Sequence, residues 1–168
     1  MSGRRPRGAG PVSDRASVVA ATDRLAVALG RGLVAGVAAT AAMTVATTLE
    51  MHLRGRPPSS APAQVAGKLL GVPDPERAAA RFAVVAHAAT GVALGTTRGL
   101  LDLAGLRSAP AAGAFFALAW APDLVGVPAA GAADPPWRWG AAEVVISAAH
   151  HAVYAAAGDA MYRSLSRA

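Results

Sequence analysis

Two series of small residues recur at every fourth position, in stretches of the chain that carry almost no charge. The first series is Gly32, Gly36, Thr40, Thr44 and Thr48, and the second is His87, Gly91, Gly95 and Gly99. Residues four apart share one face of a helix, so each series leaves a smooth groove that another helix can approach closely. Glycine in the interior of a water-exposed helix costs about 1 kcal/mol relative to alanine, whereas lipid enforces backbone hydrogen bonding and tolerates glycine. The two series therefore predict an integral membrane protein. The predicted helix-packing residues are Gly32, Gly36, Thr40, Thr44, Gly91, Gly95 and Gly99.

The composition agrees with a membrane environment and excludes several other classes. The 168 residues are 54% hydrophobic and 15% charged, with a mean hydropathy of +0.37, whereas soluble domains carry roughly 25% charged residues. Cysteine is absent, which excludes disulfides and thiolate metal sites. The net charge of +6 could suggest nucleic acid. However, the arginines are scattered over predicted helix ends and the N-terminal tail and form no single basic face. We therefore expect the lipid bilayer as a partner and no nucleic acid.

The chain divides into three predicted parts. Residues 1–12 are basic and rich in glycine and proline, and we expect them to form a disordered tail. Residues 13–30 have apolar residues at helical spacing opposite Arg15 and Arg24, which predicts a short amphipathic helix on the membrane surface. Residues 31–168 are predicted to form the membrane domain. Its four spans cover about 32–50, 82–101, 109–127 and 142–162.

The predicted fold class is thus all-α, an integral membrane four-helix bundle with a short N-terminal amphipathic helix. A cleaved signal peptide is the rival interpretation of the first apolar run, because Ala61-Pro62-Ala63 resembles a small-residue cleavage site. Glu50, Arg54 and Arg56 separate that site too far from the apolar run for this interpretation to hold.

The segments between the spans carry further signals. Residues 54–74 predict either a short interfacial helix around Lys68 or an irregular loop, and Asp74–Arg77 is a helix-start signal. Pro122 is expected to kink or end the third span and to place Asp123 on a distorted turn at the interface. Trp137 and Trp139 favour the headgroup level at the mouth of the fourth span.

Basic residues set the predicted orientation. With the N-terminus inside, ten of the 16 basic residues fall on the cytoplasmic side. The excess predicts a multi-pass protein of the bacterial cytoplasmic (inner) membrane with both termini in the cytoplasm.

A short internal match relates the second and fourth predicted spans. His87-Ala-Ala-Thr-Gly91 matches His151-Ala-Val-Tyr-Ala155, and the two helices would run in the same direction. True duplication would give two helical hairpins related by an axis along the membrane normal, whereas chance similarity in alanine-rich sequence is the alternative.

Several short motifs together resemble a known family. They are Gly32, Ala35, Gly36, Met43 and Glu50 in the first span, then Arg-Pro-Pro at residues 56–58, His-x-x-x-Gly-x-x-x-Gly, an aromatic-Asp-Pro region and a final His-x-x-Tyr. Over residues 30–162 the chain resembles the YagU-like family of small bacterial inner-membrane proteins. Thr90 and Ala155 stand where tyrosine and glycine are usual in that family. The resemblance implies a four-helix membrane protein with no established enzyme activity, and it supplies no catalytic residues.

Four residues form the candidate intramembrane polar site: His87, His151, Tyr154 and Asp123. The plainer interpretation of His87 is a neutral imidazole hydrogen-bonded across helices. The alternative pairs His87 with His151 as a proton relay or as a metal or haem ligand pair. His150 and His151 diverge by about 100° on a helix, so only one of them is expected to face the bundle.

Catalytic motifs of soluble enzymes are missing, and Ser147 lacks the surroundings of a nucleophile. We therefore expect no enzyme, no catalytic residue, no metal and no cofactor. The leading hypothesis is a structural, accessory or partner-binding membrane protein that self-associates, or binds another membrane protein, through its glycine-rich helix faces. The alternative is a small transporter or proton-linked channel that uses the intramembrane histidines. A membrane redox or metal-binding protein is the second alternative.

Overall fold

The computed structural model describes residues 11–57, 59–71 and 79–167 of the chain. These residues form an all-α structure with five helices, and no strand occurs among them. The helices are α1 (Pro11–Arg54), α2 (Ala61–Leu70), α3 (Ala79–Leu103), α4 (Ser108–Ala121) and α5 (Ala141–Leu165). A π-helical turn (Pro122–Gly126) and one further α-turn (Val127–Ala129) extend α4, and a 3-10 turn (Pro136–Arg138) precedes α5.

Helix α1 is longer than predicted, because it runs for 44 residues without a break. The predicted interfacial helix 13–30 and the predicted span 32–50 are parts of this one helix, so the boundary expected near residue 30 is wrong. Gly30 and Gly32 do not interrupt α1, because a glycine costs a helix only about 1 kcal/mol and Gly32 packs directly against α3. Side chains from Arg15 to Val27 are all exposed. Residues 1–10 of the predicted tail lie outside the described residues, and residues 11 and 12 belong to α1.

Helix α2 occupies the segment predicted as either a loop or an interfacial helix. It ends at Gly71, whose φ of 65° is the left-handed conformation that favours glycine after a helix. Ala63 and Gly67 are its buried residues, and the helix packs against α3. The helix-start signal Asp74–Arg77 lies outside the described residues. Helix α3 covers the predicted span 82–101.

Pro122 ends the regular part of α4, as predicted. The α-helix stops at Ala121, and the next five residues form the π-helical turn that carries Asp123. Proline lacks the backbone N–H that an α-helix needs and its ring crowds the preceding turn, so a wider turn is a physical solution. The predicted third span 109–127 therefore contains both α4 and this turn, and α5 encloses the predicted span 142–162.

Contacts between the long helices fix their directions. Gly99 lies against Ala28 and Gly91 lies against Thr40, so α1 and α3 are antiparallel. Tyr154 bonds to Gly91 while Arg98 bonds to Asp159, so α3 and α5 run in the same direction. The helices that contain the second and fourth predicted spans therefore run in the same direction, as expected. Helix α4 is antiparallel to α5, because Phe115 contacts Tyr154 whereas Trp120 bonds to Ser147.

Small residues dominate the interior. The buried apolar residues are Ala28, Ala35, Ala39, Ala63, Ala111, Phe115, Ala119, Tyr154, Ala155 and Tyr162. Large aliphatic side chains lie mostly outside, and the exposed ones include Leu33, Val37, Val45, Leu49, Val84, Val85, Leu118, Val125 and Val145. Two segments, Arg15–Arg54 and Ser108–Ala129, are long and apolar enough to cross a membrane. Only 33% and 17% of their most apolar windows are buried inside the molecule, unlike the core helix of a soluble protein.

Candidate functional site

The two series of small residues meet in one interface between α1 and α3, which we call the glycine seam. It consists of Ala28, Gly32, Gly36 and Thr40 on α1 and Gly91, Gly95 and Gly99 on α3. A Cβ atom added to Gly36 would lie 2.6 Å from the carbonyl oxygen of Val92, and one added to Gly32 would lie 2.7 Å from the Cα of Thr96. Both distances are below van der Waals contact with backbone, so the two helices approach as closely as glycine permits.

The seam ends at Thr40, and this corrects the prediction for Thr44. Thr40 is buried against Gly91, and its hydroxyl donates to the carbonyl of Gly36 at 2.7 Å. Thr44 is exposed, and with Thr48 it lines an open groove on the outer face of α1 together with Val45, Leu49 and His52. A four-residue step turns about 40° around a helix, so the series winds away from α3 by the time it reaches Thr44.

The seam also corrects the expected use of the glycine faces. Gly36, Gly91 and Gly95 are buried within one chain and pack against backbone or side-chain atoms of the facing helix. A second copy or another protein cannot reach these faces without separating α1 from α3. Any partner of the folded protein must bind elsewhere.

Helix α5 carries most of the polar contacts inside the molecule. The Tyr154 hydroxyl donates to the carbonyl of Gly91 at 2.5 Å, and its ring lies 5.6 Å from that of Phe115. One turn further on, Gly158 admits the Phe115 ring and the Ala39 side chain. Tyr154, named in the candidate site from the sequence, therefore joins α3, α4 and α5.

A buried ion pair lies at the C-terminal ends of α3 and α5. Arg98 Nε donates to Asp159 Oδ1 at 2.8 Å, and the two side chains are only 3% and 6% exposed. The Arg98 guanidinium lies over the Tyr162 ring, and Arg163 reaches the other Asp159 oxygen at 3.2 Å. The Tyr162 hydroxyl donates to Asp102 at 3.4 Å. Arg98 Nη1 is buried without a hydrogen-bond partner among the described residues.

Sequence reasoning missed this pair, although one signal could have found it. Asp159 lies near the end of the fourth predicted span, where a carboxylate is ordinarily solvated, so nothing local marks it as buried. The match of His87 with His151 sets a register between the two parallel helices, and that register places Arg98 level with Tyr162. The observed distance from Arg98 Cζ to the Tyr162 ring centre is 4.6 Å. Aligned in this way, the internal match brings Arg98 beside Tyr162, whereas the ion-pair partner Asp159 lies three residues earlier.

Asp123 belongs to a separate series of hydrogen bonds between the π-helical turn and α5. The Trp120 indole N–H donates to Ser147 Oγ at 3.0 Å, and the Ser147 hydroxyl donates to Asp123 Oδ2 at 2.5 Å. All three side chains are half-buried. The sequence named Asp123 as a candidate but gave no reason to place Trp120 and Ser147 beside it.

The histidines are not equivalent. His151 Nδ1 lies 2.8 Å from the Ser147 carbonyl oxygen, which can only accept, so Nδ1 carries the proton and donates. His151 also interacts electrostatically with His87 on α3, whereas the strongest charge interaction of His150 is with Glu50 on α1. His87, His151 and Asp123 form no common cluster among the described residues, and the side chain that contacts Asp123 is Ser147.

Charged residues pair at the C-terminal end of α1. Arg54 donates to Glu50 at 3.0 Å and to Glu143 of α5 at 2.6 Å. Arg56 donates to both carboxylate oxygens of Glu50, at 2.9 Å to Oε1 and at 2.5 Å to Oε2. The hydrogen bonds from Arg56 to Glu50 raise the pKa of the Arg56 guanidinium above its usual value. This cluster ties the last turn of α1 to the first turn of α5.

No group of three or more potential metal ligands occurs within the described part of the chain. No family model, curated protein or solved structure matches the chain. The arrangement of its own residues is therefore the basis for assigning a role.

Proposed function

We propose that this chain is a four-span protein of the bacterial inner membrane with a structural or accessory role and no enzyme activity. The observation that carries the proposal is the reversed distribution of apolar side chains. Alanine and glycine occupy the contacts between helices, whereas valine and leucine cover the outside. In water such a surface would expose a large apolar area, but in lipid it meets acyl chains and costs nothing.

The polar residues of α3 and α5 are compatible with spans in this proposal. These residues lower the hydropathy of both helices below that of α1 and of residues 108–129. However, Arg98 and Asp159 bind each other, and Tyr154 binds a backbone carbonyl. Charged groups within a bilayer are expected to pair in this way and to face the interior of a bundle. Because these groups do not face lipid, the two helices can cross together although each alone is a poor span.

The distribution of ion pairs supports the proposed orientation. At the C-terminal end of α1, Arg54, Arg56 and Arg138 are each paired with a carboxylate. At the opposite end, which we call the basic end, Arg31, Arg107 and Arg167 form no ion pair with another described residue. Unpaired cations are attracted to the anionic lipids of the cytoplasmic leaflet. The basic end is therefore assigned to the cytoplasm, which agrees with cytoplasmic termini.

A structural role accounts for the polar contacts better than transport does. Ser147 uses its hydroxyl both as donor and as acceptor, Asp159 is held by two arginines, and Tyr154 is bonded to the facing helix. These bonds hold helices together. Since the glycine seam is used within the chain, a homo-oligomer or a second membrane protein would bind the lipid-facing surface instead. The resemblance to the YagU-like family implies the same kind of protein.

A proton-linked channel or transporter is the second candidate. It is favoured by the half-buried His87 and His151, which lie on the two parallel helices α3 and α5. A redox or metal-binding role comes third, because these two imidazoles are the candidate ligands for it and the described residues hold no group of three or more potential metal ligands.

Two experiments test the proposal. Extraction of membranes with alkaline carbonate should leave the protein in the pellet, and reporter fusions at residues 60 and 132 should both report the periplasmic side. Release into the supernatant, or a cytoplasmic reporter signal at either position, would overturn the four-span topology.

The accessory and transport roles are separated in proteoliposomes. Proton flux is measured at several pH values for the wild type, His87→Ala and His151→Ala. Flux that depends on these histidines would replace the accessory role with the second candidate. No flux above protein-free vesicles, together with a membrane protein that copurifies after crosslinking in native membranes, supports the accessory role.

A further inference from the structure

We propose that Asp123, Ser147 and Trp120 form a proton-binding clamp that fastens the π-helical turn to α5 and loosens when Asp123 is protonated. The proposal goes beyond an accessory role, because it assigns a proton site and a positioning residue, Ser147, that the sequence did not suggest. It concerns the turn itself and does not require that protons cross the membrane.

Geometry gives the clamp its direction. Trp120 lies on α4 and can only donate through its indole N–H, so Ser147 Oγ is the acceptor at 3.0 Å. The Ser147 hydrogen is then free to point at Asp123 Oδ2, 2.5 Å away. The chain of donors runs from Trp120 through Ser147 to Asp123 and needs an unprotonated oxygen at its end. An ionised Asp123 completes it.

Protonation of Asp123 weakens the hydrogen bond that it accepts from Ser147. A hydrogen bond to an ionised acceptor is roughly twice as strong as one between neutral groups. A proton taken from solvent by the Asp123 carboxylate converts the Ser147–Asp123 bond to a neutral one, or forces the Ser147 hydroxyl to turn away. The Trp120 bond weakens as well, because each bond in such a chain polarises the next.

Backbone geometry explains why one carboxylate can move this segment. The π-helical turn has wider hydrogen bonding than an α-helix and begins at Pro122, which has no N–H to donate. Its fixation therefore relies more on side chains than that of the helix before it. Asp123 is the second residue of the turn, so its bond to Ser147 acts directly on this segment.

Other titratable and charged groups surround the clamp and must be separated from it. His150 on α5 interacts electrostatically with Asp123 and with Glu50 and Arg56 of α1. His151 on α5 donates to the Ser147 carbonyl and interacts with His87 of α3. Lys68 of α2 bonds to the carbonyl of Ala130, beyond the turn. The variants described below separate the contribution of these groups from that of Asp123.

Trp120 provides the readout. The chain has three tryptophans, and replacing the two outside the clamp with Trp137→Phe and Trp139→Phe leaves Trp120 as the only indole. We expect the emission maximum of this parent protein, purified in detergent micelles, to shift reversibly in one step with pH. The carbonyl stretch of a protonated carboxyl should appear in infrared difference spectra over the same pH range.

Substitutions test whether the pH-dependent shift in Trp120 emission comes from Asp123. Asp123→Asn and Ser147→Ala should abolish it, whereas Ser147→Thr, which keeps the hydroxyl, should restore it. Asp134→Asn is the matched control, because Asp134 is an exposed carboxylate on the same side of the molecule and does not contact Trp120. It should leave the step unchanged. Replacing His87, His150 and His151 together with glutamine should move the midpoint but keep the step.

The clamp is refuted by any of three results. These are a folded parent protein without a pH step, a step that survives in Asp123→Asn, and a step lost when the three histidines are replaced. If the carboxamide variant does not fold, the infrared signal of the parent decides, since a fluorescence step without a carboxyl signal also refutes the clamp. These measurements use micelles, so they are independent of the reporter and flux experiments that test the proposed function.

Discussion

Arg98 and Asp159 form an ion pair across the parallel helices α3 and α5, with their atoms 2.8 Å apart and both side chains almost completely buried. In the membrane bundle that we propose, this pair allows two helices of modest hydropathy to lie side by side. Each charge is costly in lipid by itself, but the pair presents almost no exposed charge to the surroundings.

Removal of one member of this pair should be more harmful than removal of both. Asp159→Ala leaves Arg98 buried without an ionic partner, so we expect a loss of about 3–5 kcal/mol in the free energy of unfolding. Arg98→Ala should cost less, because Asp159 keeps its ion pair with Arg163. The double variant Arg98→Met with Asp159→Leu should recover most of this loss. Thermal unfolding in detergent measures the effect.

Arg138 and Asp134 provide the exposed control for this prediction. Their side chains are 68% and 69% exposed at a separation of 3.5 Å. Arg138→Ala should therefore change the stability by less than about 1 kcal/mol. Equal losses for Asp159→Ala and Arg138→Ala would mean that the Arg98 pair is accessible to water.

The glycine seam makes a steric prediction. Gly36→Ala places a methyl group against the backbone of Val92, so the helices must separate or shift. We expect a loss of about 1–3 kcal/mol, typical of overpacking in a tight interior. Gly113→Ala on α4 meets nothing within 4 Å and should be neutral or stabilising. The difference in melting temperature between the two variants measures the cost of adding a methyl group within the glycine seam. Equal melting temperatures would contradict the close contact between α1 and α3.

Spacing alone predicted which faces of α1 and α3 would be smooth, because glycine at every fourth position has one geometric consequence. It did not predict that the two faces meet each other, since periodicity describes one helix at a time. Nor could it predict where the contact stops. Thr40 and Thr44 are the same residue type in the same series, and only the winding of α1 past α3 buries one and exposes the other.

Long-range polar partners were beyond local patterns for a similar reason. Asp159 near a helix end is compatible with solvation as well as with burial, and the choice depends on Arg98 lying 61 positions earlier in the chain. The effect of Pro122 is local by contrast, because proline lacks the N–H that its own helix needs for a backbone hydrogen bond. The end of α4 at Ala121 was accordingly predictable from the residue type.

Tyr154 should contribute through its hydroxyl as well as its ring. Tyr154→Phe removes the bond to the Gly91 carbonyl and should cost about 1 kcal/mol. Tyr154→Ala also removes the ring from a core that includes Phe115 and Ala39, and should cost about 3–5 kcal/mol. Unfolding curves of both variants provide the test. A phenylalanine variant as unstable as the alanine variant would contradict this division between hydrogen bond and packing.

Thr40 and Thr44 give a matched pair for the corrected end of the seam. Valine has nearly the shape of threonine but cannot donate a hydrogen bond. Thr40→Val loses the bond from a buried hydroxyl to the Gly36 carbonyl, so we expect a loss of about 1 kcal/mol. Thr44 makes the same kind of bond to Thr40, but its side chain is exposed.

In lipid or detergent the Thr44→Val variant loses no packing, so its stability should stay within about 0.5 kcal/mol of the wild type. Unfolding of both variants in the same detergent compares the two positions. If Thr44→Val is the more damaging substitution, Thr44 must be buried by something other than α3. In that case a second copy of the chain or another membrane protein covers the groove from Thr44 to His52, and crosslinking from residue 48 should capture it.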